Sequence, residues 1–553
     1  MSLPTQPITH LSTIELESFP HTHTNTTANN NNNNHQPVNQ IHHNDDILPP
    51  HSPTTTTTTT PTVSTPAASK AAKTRTVIVI TCVAVITGVN SFLNGALVVA
   101  TPAIAKDLRL SKGVILWPVT IQALTCGCTL LLAGSVADVV GSRHTYLVGN
   151  FLQTLTSLAC GLSRTGVQLI VFRAFAGIAA SLCLTSAVSI INDAFVPGRG
   201  RNLAFAAMGG GQPVGFGLGL TLGGVLTSSI GWEWGFYLSA IINGLVFALS
   251  MWQLPEGVGK VENVTWKRLG EEIDWVGALI VSAALAMLSY VLAIVSTDSS
   301  GIHEPGNIAL LTVALGLLVA FVSWMHRQEK LREPALIPNS LWKDKVFSSI
   351  CVNVFLVWGS FNAVEQFGNF FLQNIQELSA LQAGIRLSPA IVTGILANIL
   401  VGLLVHRVRA DWIVILSLVL SWSSPLLMAL IKPSATYWSF AFAAFLLNPI
   451  GADGLFTVSN LLITSRFPMK TQGLAGGVFQ TTSQIGKSVG LALTTLVASD
   501  ITAGSSSKDK EASPALMQGY RAAFWFLVAI NSTSLCLSIW GLRRIGTVGR
   551  KQD

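Results

Sequence analysis

Charged residues are scarce in this chain. Asp, Glu, Lys and Arg make up 11% of its 553 residues, where soluble proteins carry about 25%. Hydrophobic residues make up 50%. No soluble fold clothes that much apolar surface with so few charges, so a soluble enzyme and a DNA-binding protein are excluded. Cysteine is sparse as well. Cys82, Cys126, Cys128, Cys160, Cys183, Cys351 and Cys536 all lie in apolar runs. They are expected to be small buried hydrophobes rather than disulfides or metal ligands, which excludes a disulfide-stapled secreted domain. The sequence has no GxxxxGK phosphate loop, no HExxH zinc motif and no basic face interleaved with aromatics. ATP drive, zinc hydrolysis and nucleic-acid binding therefore lack their residues, and no metal or cofactor is expected.

Residues 1–75 differ from the rest. They hold the Asn29–Asn34 run, the Thr54–Thr60 run and seven of the eleven histidines. Such a segment cannot bury enough apolar surface to fold, and a disordered tail is expected. No apolar run precedes Val77, so no cleavable signal peptide is expected.

From Val77 onward, apolar runs dominate. A bilayer core of ~30 Å needs about 20 apolar residues per helix. Fourteen segments meet that measure, at roughly 77–100, 115–137, 145–163, 167–191, 203–229, 233–253, 274–296, 307–325, 348–372, 384–405, 412–431, 438–464, 474–498 and 521–542. The expected fold class is an all-α polytopic membrane protein. The net charge of +7 then reads as topology. With both termini in the cytosol, 22 basic residues fall on the inner side and 8 on the outer side, which satisfies the positive-inside rule.

The chain repeats itself. Pro197, Arg199, Leu203 and Ala204 recur at one offset as Pro468, Lys470, Leu474 and Ala475. The same offset carries Gly215 onto Gly486 and Gly219 onto Gly490. Two like-oriented six-helix bundles with two extra helices between them would give this pattern, and parallel halves flanking a substrate path are a transporter architecture. The expected division is a tail at 1–75, an N-terminal bundle at 76–253, a linker with two helices at 254–347, a C-terminal bundle at 348–545 and a tail at 546–553.

Several motifs resemble those of the major facilitator superfamily. Gly134-Ser-Val-Ala-Asp138-Val-Val-Gly141-Ser-Arg143 is similar to its loop signature between spans two and three. Arg173, in Leu169-Ile-Val-Phe-Arg173-Ala-Phe-Ala-Gly177, resembles its span-four arginine. Pro213, Gly215, Gly219 and Gly223 in span five resemble its antiporter motif, and Asp274-Trp275-Val-Gly277 resembles the start of span seven in the fourteen-span drug:proton antiporter branch. The resemblance covers about residues 75–545. It implies the major-facilitator fold, a gating charge cluster at Asp138 and Arg143, proton coupling involving Arg173, and a span-five bend that favours exchange over leak.

The polar residues inside the spans are the functional candidates. A lipid-facing placement for them is implausible. Gly177, Ser181, Thr185 and Asn192 continue a polar stripe from Arg173. Span nine presents Asn362, Glu365, Gln366, Asn369 and Gln373 on one helical face. Span twelve carries Asn448, Asp453 and Asn460, and span thirteen carries Gln480, Gln484 and Lys487. Carboxylates held away from water can take up and release protons, which nominates Glu365 and Asp453. Trp117, Trp358, Phe361, Phe367, Phe370 and Phe371 suit an apolar ligand. One departure stands out. The branch often has an acidic residue in span one upstream of the position of Pro102, where this chain has only Asn90 and Asn94.

The expected function is secondary active transport by alternating access, as proton-coupled efflux of a small organic compound. The partners are that compound, protons and the lipid bilayer, with no nucleic acid, and the expected state is a monomer. The expected location is the plasma membrane, with a vacuolar or other internal membrane as the alternative. Competing readings are a proton-coupled importer or facilitator of a nutrient, siderophore or ion, and a non-transporting receptor or scaffold.

Overall fold

The structure, a computed structural model, describes residues 66–543 apart from 112–113, 196–198, 255–265, 272, 298–303, 406, 468 and 505–512. The expectations for the tail up to residue 65 and for 546–553 lie outside the described residues.

The described residues form sixteen α-helices. The first six are α1 (Pro66–Asp107), α2 (Trp117–Val140), α3 (Ser142–Gly161), α4 (Gly166–Ala194), α5 (Arg199–Ser229) and α6 (Glu233–Gln253). A short α7 (Trp266–Glu271) precedes α8 (Trp275–Thr297) and α9 (Pro305–Leu331). The last set is α10 (Lys345–Phe370), α11 (Ala380–Leu387), α12 (Pro389–Leu404), α13 (Ala410–Leu430), α14 (Ala441–Arg466), α15 (Met469–Ala503) and α16 (Ser513–Gly541). A π-helical turn, Phe371–Ile375, extends α10.

Thirteen of the fourteen expected segments fall mainly on one helix each, and the one expected at 384–405 spans α11 and α12. Ten stretches, with α11 and α12 taken together, are long and apolar enough to cross a membrane. The other four segments are α3, α5, α8 and α15. Glycine, Ser, Thr, Asn and Gln make α3, α5 and α15 more polar, and α8 offers the shorter apolar stretch Trp275–Leu288. Helix α1 starts at Pro66, earlier than the boundary expected at 76. The reason is local: Pro suits the first helical position, and the Ala-rich stretch after it favours helix.

Polarity is inverted relative to a soluble protein. Leu245, Leu279 and Val319 are 67%, 70% and 69% exposed, while Arg173 and Glu365 are 0% and 1% exposed. Apolar side chains outside and charges inside are stable only where the surroundings are hydrocarbon. Six cysteines are buried as expected, but Cys536 is exposed on α16. A small apolar thiol loses little by facing lipid.

Helix neighbours repeat in order. In the first set α1 packs on α5, α2 on α4, and α3 on both α4 and α6. In the last set α10 packs on α15, α12 on α14, and α13 on both α14 and α16. Glycines permit the closest of these contacts. A Cβ on Gly211, Gly215, Gly219 or Gly223 of α5 would run into α1 at Ala84, Gly88, Phe92 or Ala96. Likewise a Cβ on Gly486 or Gly490 of α15 would run into Phe355 or Gly359 of α10. The offset that carries Gly215 onto Gly486 also carries Gly88 onto Gly359 and Asn94 onto Glu365.

The pair α8–α9 is held at its base by Asp274. The carboxylate accepts hydrogen bonds from Gly277 N at 2.8 Å, Trp324 Nε1 at 3.0 Å and Leu336 N at 3.4 Å. It thus caps α8 and ties both α9 and the segment after it. Gly277 has no room for a side chain, because a Cβ would meet Asp274 and the Met325 methyl. Helix α8 also leans on both α2 and α15.

Candidate functional site

Two seams join the helix sets: α2 against α15, and α5 against α11 and α12. Near the C-terminal end of α5 the second seam is tight, since a Cβ on Gly224 would lie 2.8 Å from the Ala380 carbonyl oxygen. Further down α5, Gly217 meets the Ile391 side chain, and Pro213 lies near Gly394 of α12. Beyond that, a Cβ on Gly209 or Gly210 of α5, or on Gly402 of α12, would meet open space. The seam is closed at the end where Gly224 meets Ala380.

A second tie closes the same end. Pro102 lies inside α1 and has no N–H to give the carbonyl four residues back, which is that of Val98. Asn369 of α10 supplies the missing donor: its Nδ2 donates to Val98 O at 2.6 Å. Gln373, in the π-turn, donates to Val99 O at 2.9 Å and to Asn369 Oδ1 at 2.7 Å. Asn369 and Gln373, expected on a polar path, thus hold two helix sets together. Phe367, Phe370 and Phe371 are buried at this end, where Phe367 and Phe370 pack on Tyr520. They form a plug rather than a free aromatic surface.

The carboxylates lie deeper. Glu365 Oε1 accepts from Asn448 Nδ2 at 3.1 Å, and Oε2 has no partner among the described residues. The neighbouring Gln366 amide is buried and likewise unpartnered. Asp453 has Asn398 of α12 beside it. A Cβ on Gly394 would lie 2.9 Å from Asp453 Oδ2 and 3.5 Å from Pro213 Cβ. The span-five proline and the α14 carboxylate therefore flank one glycine. Asn362 donates back to Trp358 O on its own helix at 3.1 Å, and Asn460 to Phe456 O at 3.0 Å.

Arg173 sits within the first helix set. Its Nε donates to the Pro118 carbonyl at 2.8 Å, Nη2 donates to Asn94 Oδ1 at 3.4 Å, and Nη1 is unpartnered among the described residues. A backbone carbonyl has two lone pairs, so Pro118 can serve both its own helix and the guanidinium. The Arg173 stripe faces α2 rather than an open path. Gly177 abuts Gln122 and Thr125, Ser181 bonds Thr129 at 2.8 Å, and Thr185 lies against Gly134. The side chain of Asn192 lies outside the described residues.

The expected loop cluster is not drawn together. Arg143 Nε donates to Leu254 O at 3.1 Å and Nη2 to Met251 O at 3.5 Å. It binds the carbonyl end of α6, where a cation is favoured by the unpaired carbonyls, and Asp138 is exposed on α2. Gly141 is required by its backbone, with φ at +103°, a region other residues rarely adopt. Gly134 is under no such demand, as its nearest neighbour would be at an ordinary 3.8 Å.

On the other seam, Gln484 Nε2 reaches Cys126 Sγ at 3.8 Å, and Lys487 Nζ lies 4.4 Å from the centre of the Trp358 ring. Gln480 is on the same helix, half-buried. Two contributors were missed in the sequence. Gln122 donates to Asn90 Oδ1 at 2.6 Å, and Asn398 accepts from Thr457 at 2.7 Å. Each is a single amide in an apolar span, which is itself the signal that could have found it.

Two helix sets with repeated neighbours, apolar outside and lined by amides and charges at their seams, define a polytopic membrane transporter. Residues 83–491 and 392–545 match the Major Facilitator Superfamily. "MFS-type transporter 1" of Pyricularia oryzae is 38% identical over 524 residues, covering 86% of this chain and 85% of that protein. The aminotriazole resistance protein of Saccharomyces cerevisiae is 26% identical over 430 residues, 76% of each chain. A bacterial homologue of the human lysosomal transporter Spinster, in an inward-facing and unoccupied conformation, superposes with a TM-score of 0.58 at 15% identity, covering 85% of this chain and 98% of its own. The chain belongs to the Major Facilitator Superfamily, and it is a multi-pass membrane transporter rather than an enzyme.

Proposed function

We propose that the chain is a fourteen-span exporter of small organic compounds, driven by proton entry through alternating access. The observation that carries this reading is the setting of Glu365 and Asp453. Both are held away from lipid, with the Asn448 and Asn398 amides beside them, and Asp453 shares Gly394 with the Pro213 bend. A carboxylate with one oxygen free, as at Glu365, can accept a proton without breaking its hydrogen bond.

Each residue has a place in the scheme. Glu365 and Asp453 carry protons. Arg173, bound to the Pro118 carbonyl and the Asn94 amide, orders the first bundle around Asn94. Asn362, Gln480, Gln484 and Lys487 line the substrate path, and Asn369 with Gln373 closes it at one end. Pro213, Gly215, Gly219 and Gly223 keep α5 tight on α1, so that the bundle moves as a body. Gly134, Asp138, Gly141 and Arg143, at the turn from α2 to α3, form the gating element, with Arg143 held on the carbonyl end of α6. The two bundles are 76–253 and 348–545, α1 reaches back to Pro66, and 254–347 carries the added helix pair.

The basic-loop asymmetry supports both termini in the cytosol, and a monomer in the plasma membrane completes the proposal. In that orientation the closed end faces outward. The relative named for aminotriazole resistance fits export of a small organic compound. Transport into inside-out vesicles with an imposed pH gradient tests the reading. Uptake that rises when the lumen is acid is expected, and uptake indifferent to the gradient across a broad compound panel refutes it.

A further inference from the structure

Lys487 is the charged residue of the substrate path that carries no proton in the scheme above. It lies on α15, which packs on α2, with Cys126 and Gln484 near it. Among the described residues no carboxylate oxygen lies within 4.0 Å of its Nζ. Both interior carboxylates are committed elsewhere, Glu365 to Asn448 of α14 and Asp453 to the side of α12 and α5. Neither acid is therefore paired with this base. A half-buried ammonium inside a membrane span is costly to maintain without a counter-charge, and a ligand that supplied the missing charge would be bound strongly by it.

The surroundings say what else that ligand carries. Trp358 packs edge-on to Phe361 at 5.5 Å and to Phe456 at 6.1 Å, and Phe361 meets Phe216 of α5 at 6.2 Å. These rings are only half-buried. Trp358 Nε1 is buried and has no acceptor among the described residues. The face of Trp358 is already occupied by the chain's own cation, so a second cation would be repelled there, whereas an anion would meet both an ammonium and an indole N–H.

We propose that Lys487 anchors the acidic group of the transported compound, whose apolar body lies against Trp358, Phe361 and Phe456. The substrate class is an amphipathic organic acid. This rests on the reading of the chain as a transporter of small organic compounds through these seams, but not on the direction or energy source of transport.

The test is equilibrium binding to the full-length protein in lipid nanodiscs, with no pH gradient. The probes share a body and differ in charge: indole-3-acetate, indole-3-acetamide and tryptamine, and 1-naphthaleneacetate with its amide. At least one acid is expected to bind about tenfold or more tightly than its amide, the scale of one charge-assisted hydrogen bond. Lys487→Arg should keep that preference and Lys487→Gln should abolish it, with thermal melting confirming that both variants fold. If Lys487→Gln does not fold, loss of preference in Lys487→Met supplies the same reading. The proposal is overturned if no acid outbinds its amide, if tryptamine binds as tightly as the acids, or if the preference survives removal of the ammonium. Because no gradient is present, an importer or an uncoupled carrier would show the same preference, so failure of the export reading stays separate from failure of this one.

Discussion

Replacing Asn369 by Leu should loosen the closed end by a calculable amount. Val98 O has lost its helical donor to Pro102, and Asn369 Nδ2 at 2.6 Å replaces it. A buried carbonyl left without a donor costs ~1–3 kcal/mol. That cost falls only on the closed state, because opening this end lets water reach the carbonyl. The ratio of open to closed molecules should therefore rise by a factor of ~5 to ~150. Gln373 keeps its bond to Val99 at 2.9 Å, so the end is weakened rather than abolished. Spin labels at Arg164 and Lys432, which are exposed in loops at this end of the two sets, would report the separation by pulsed distance measurement. A double-mutant cycle isolates the cause. Pro102→Ala restores an N–H four residues after Val98, so Asn369→Leu should cost much less in that background. Unchanged distances in the single variant, or an equal effect in both backgrounds, would refute the reasoning.

Other outcomes are equally specific. Gly219→Val drives a branched side chain into α1 at Phe92 and Ala96 and should cost ~1–3 kcal/mol or more of stability in a detergent melt; Gly209→Ala meets nothing and should gain up to ~1 kcal/mol from helix propensity. A lower melting point for Gly209→Ala than for Gly219→Val would contradict the packing account. Asp274→Ala removes the acceptor for Gly277, Trp324 and Leu336. It should lower stability by ~1–3 kcal/mol and speed hydrogen exchange at the Leu336 amide, with no change there counting against the role of Asp274. Glu365→Gln keeps an acceptor for Asn448 but cannot carry a proton, so vesicle transport should lose its response to a pH gradient while counterflow persists. A retained pH response would remove Glu365 from the coupling path.

The fold was largely legible because membrane helices are written in composition. Every expected segment landed on helix, and the glycines of α5, spaced four apart, make a close contact, with α1 as the partner. The site was legible in kind but not in pairing. Arg143 sits five residues after Asp138, yet α6 ends beside it and its carbonyls win the guanidinium. The Arg173 stripe looked like a path lining because polarity was the only clue. Small polar residues also make close helix contacts, and here they do.

By itself, the sequence determined that this is a membrane-embedded helical protein, where its helices lie, and that it is built twice over. These follow from local hydrophobicity and from repeats, both of which are properties of the chain taken in order. The tertiary structure alone decided that Asn369 answers the gap left by Pro102, that Asp453 and Pro213 share one glycine, and that Lys487 stands apart from both interior carboxylates. Each joins residues distant in the chain, and such partners are chosen by which helices meet and at what angle, which no single segment records.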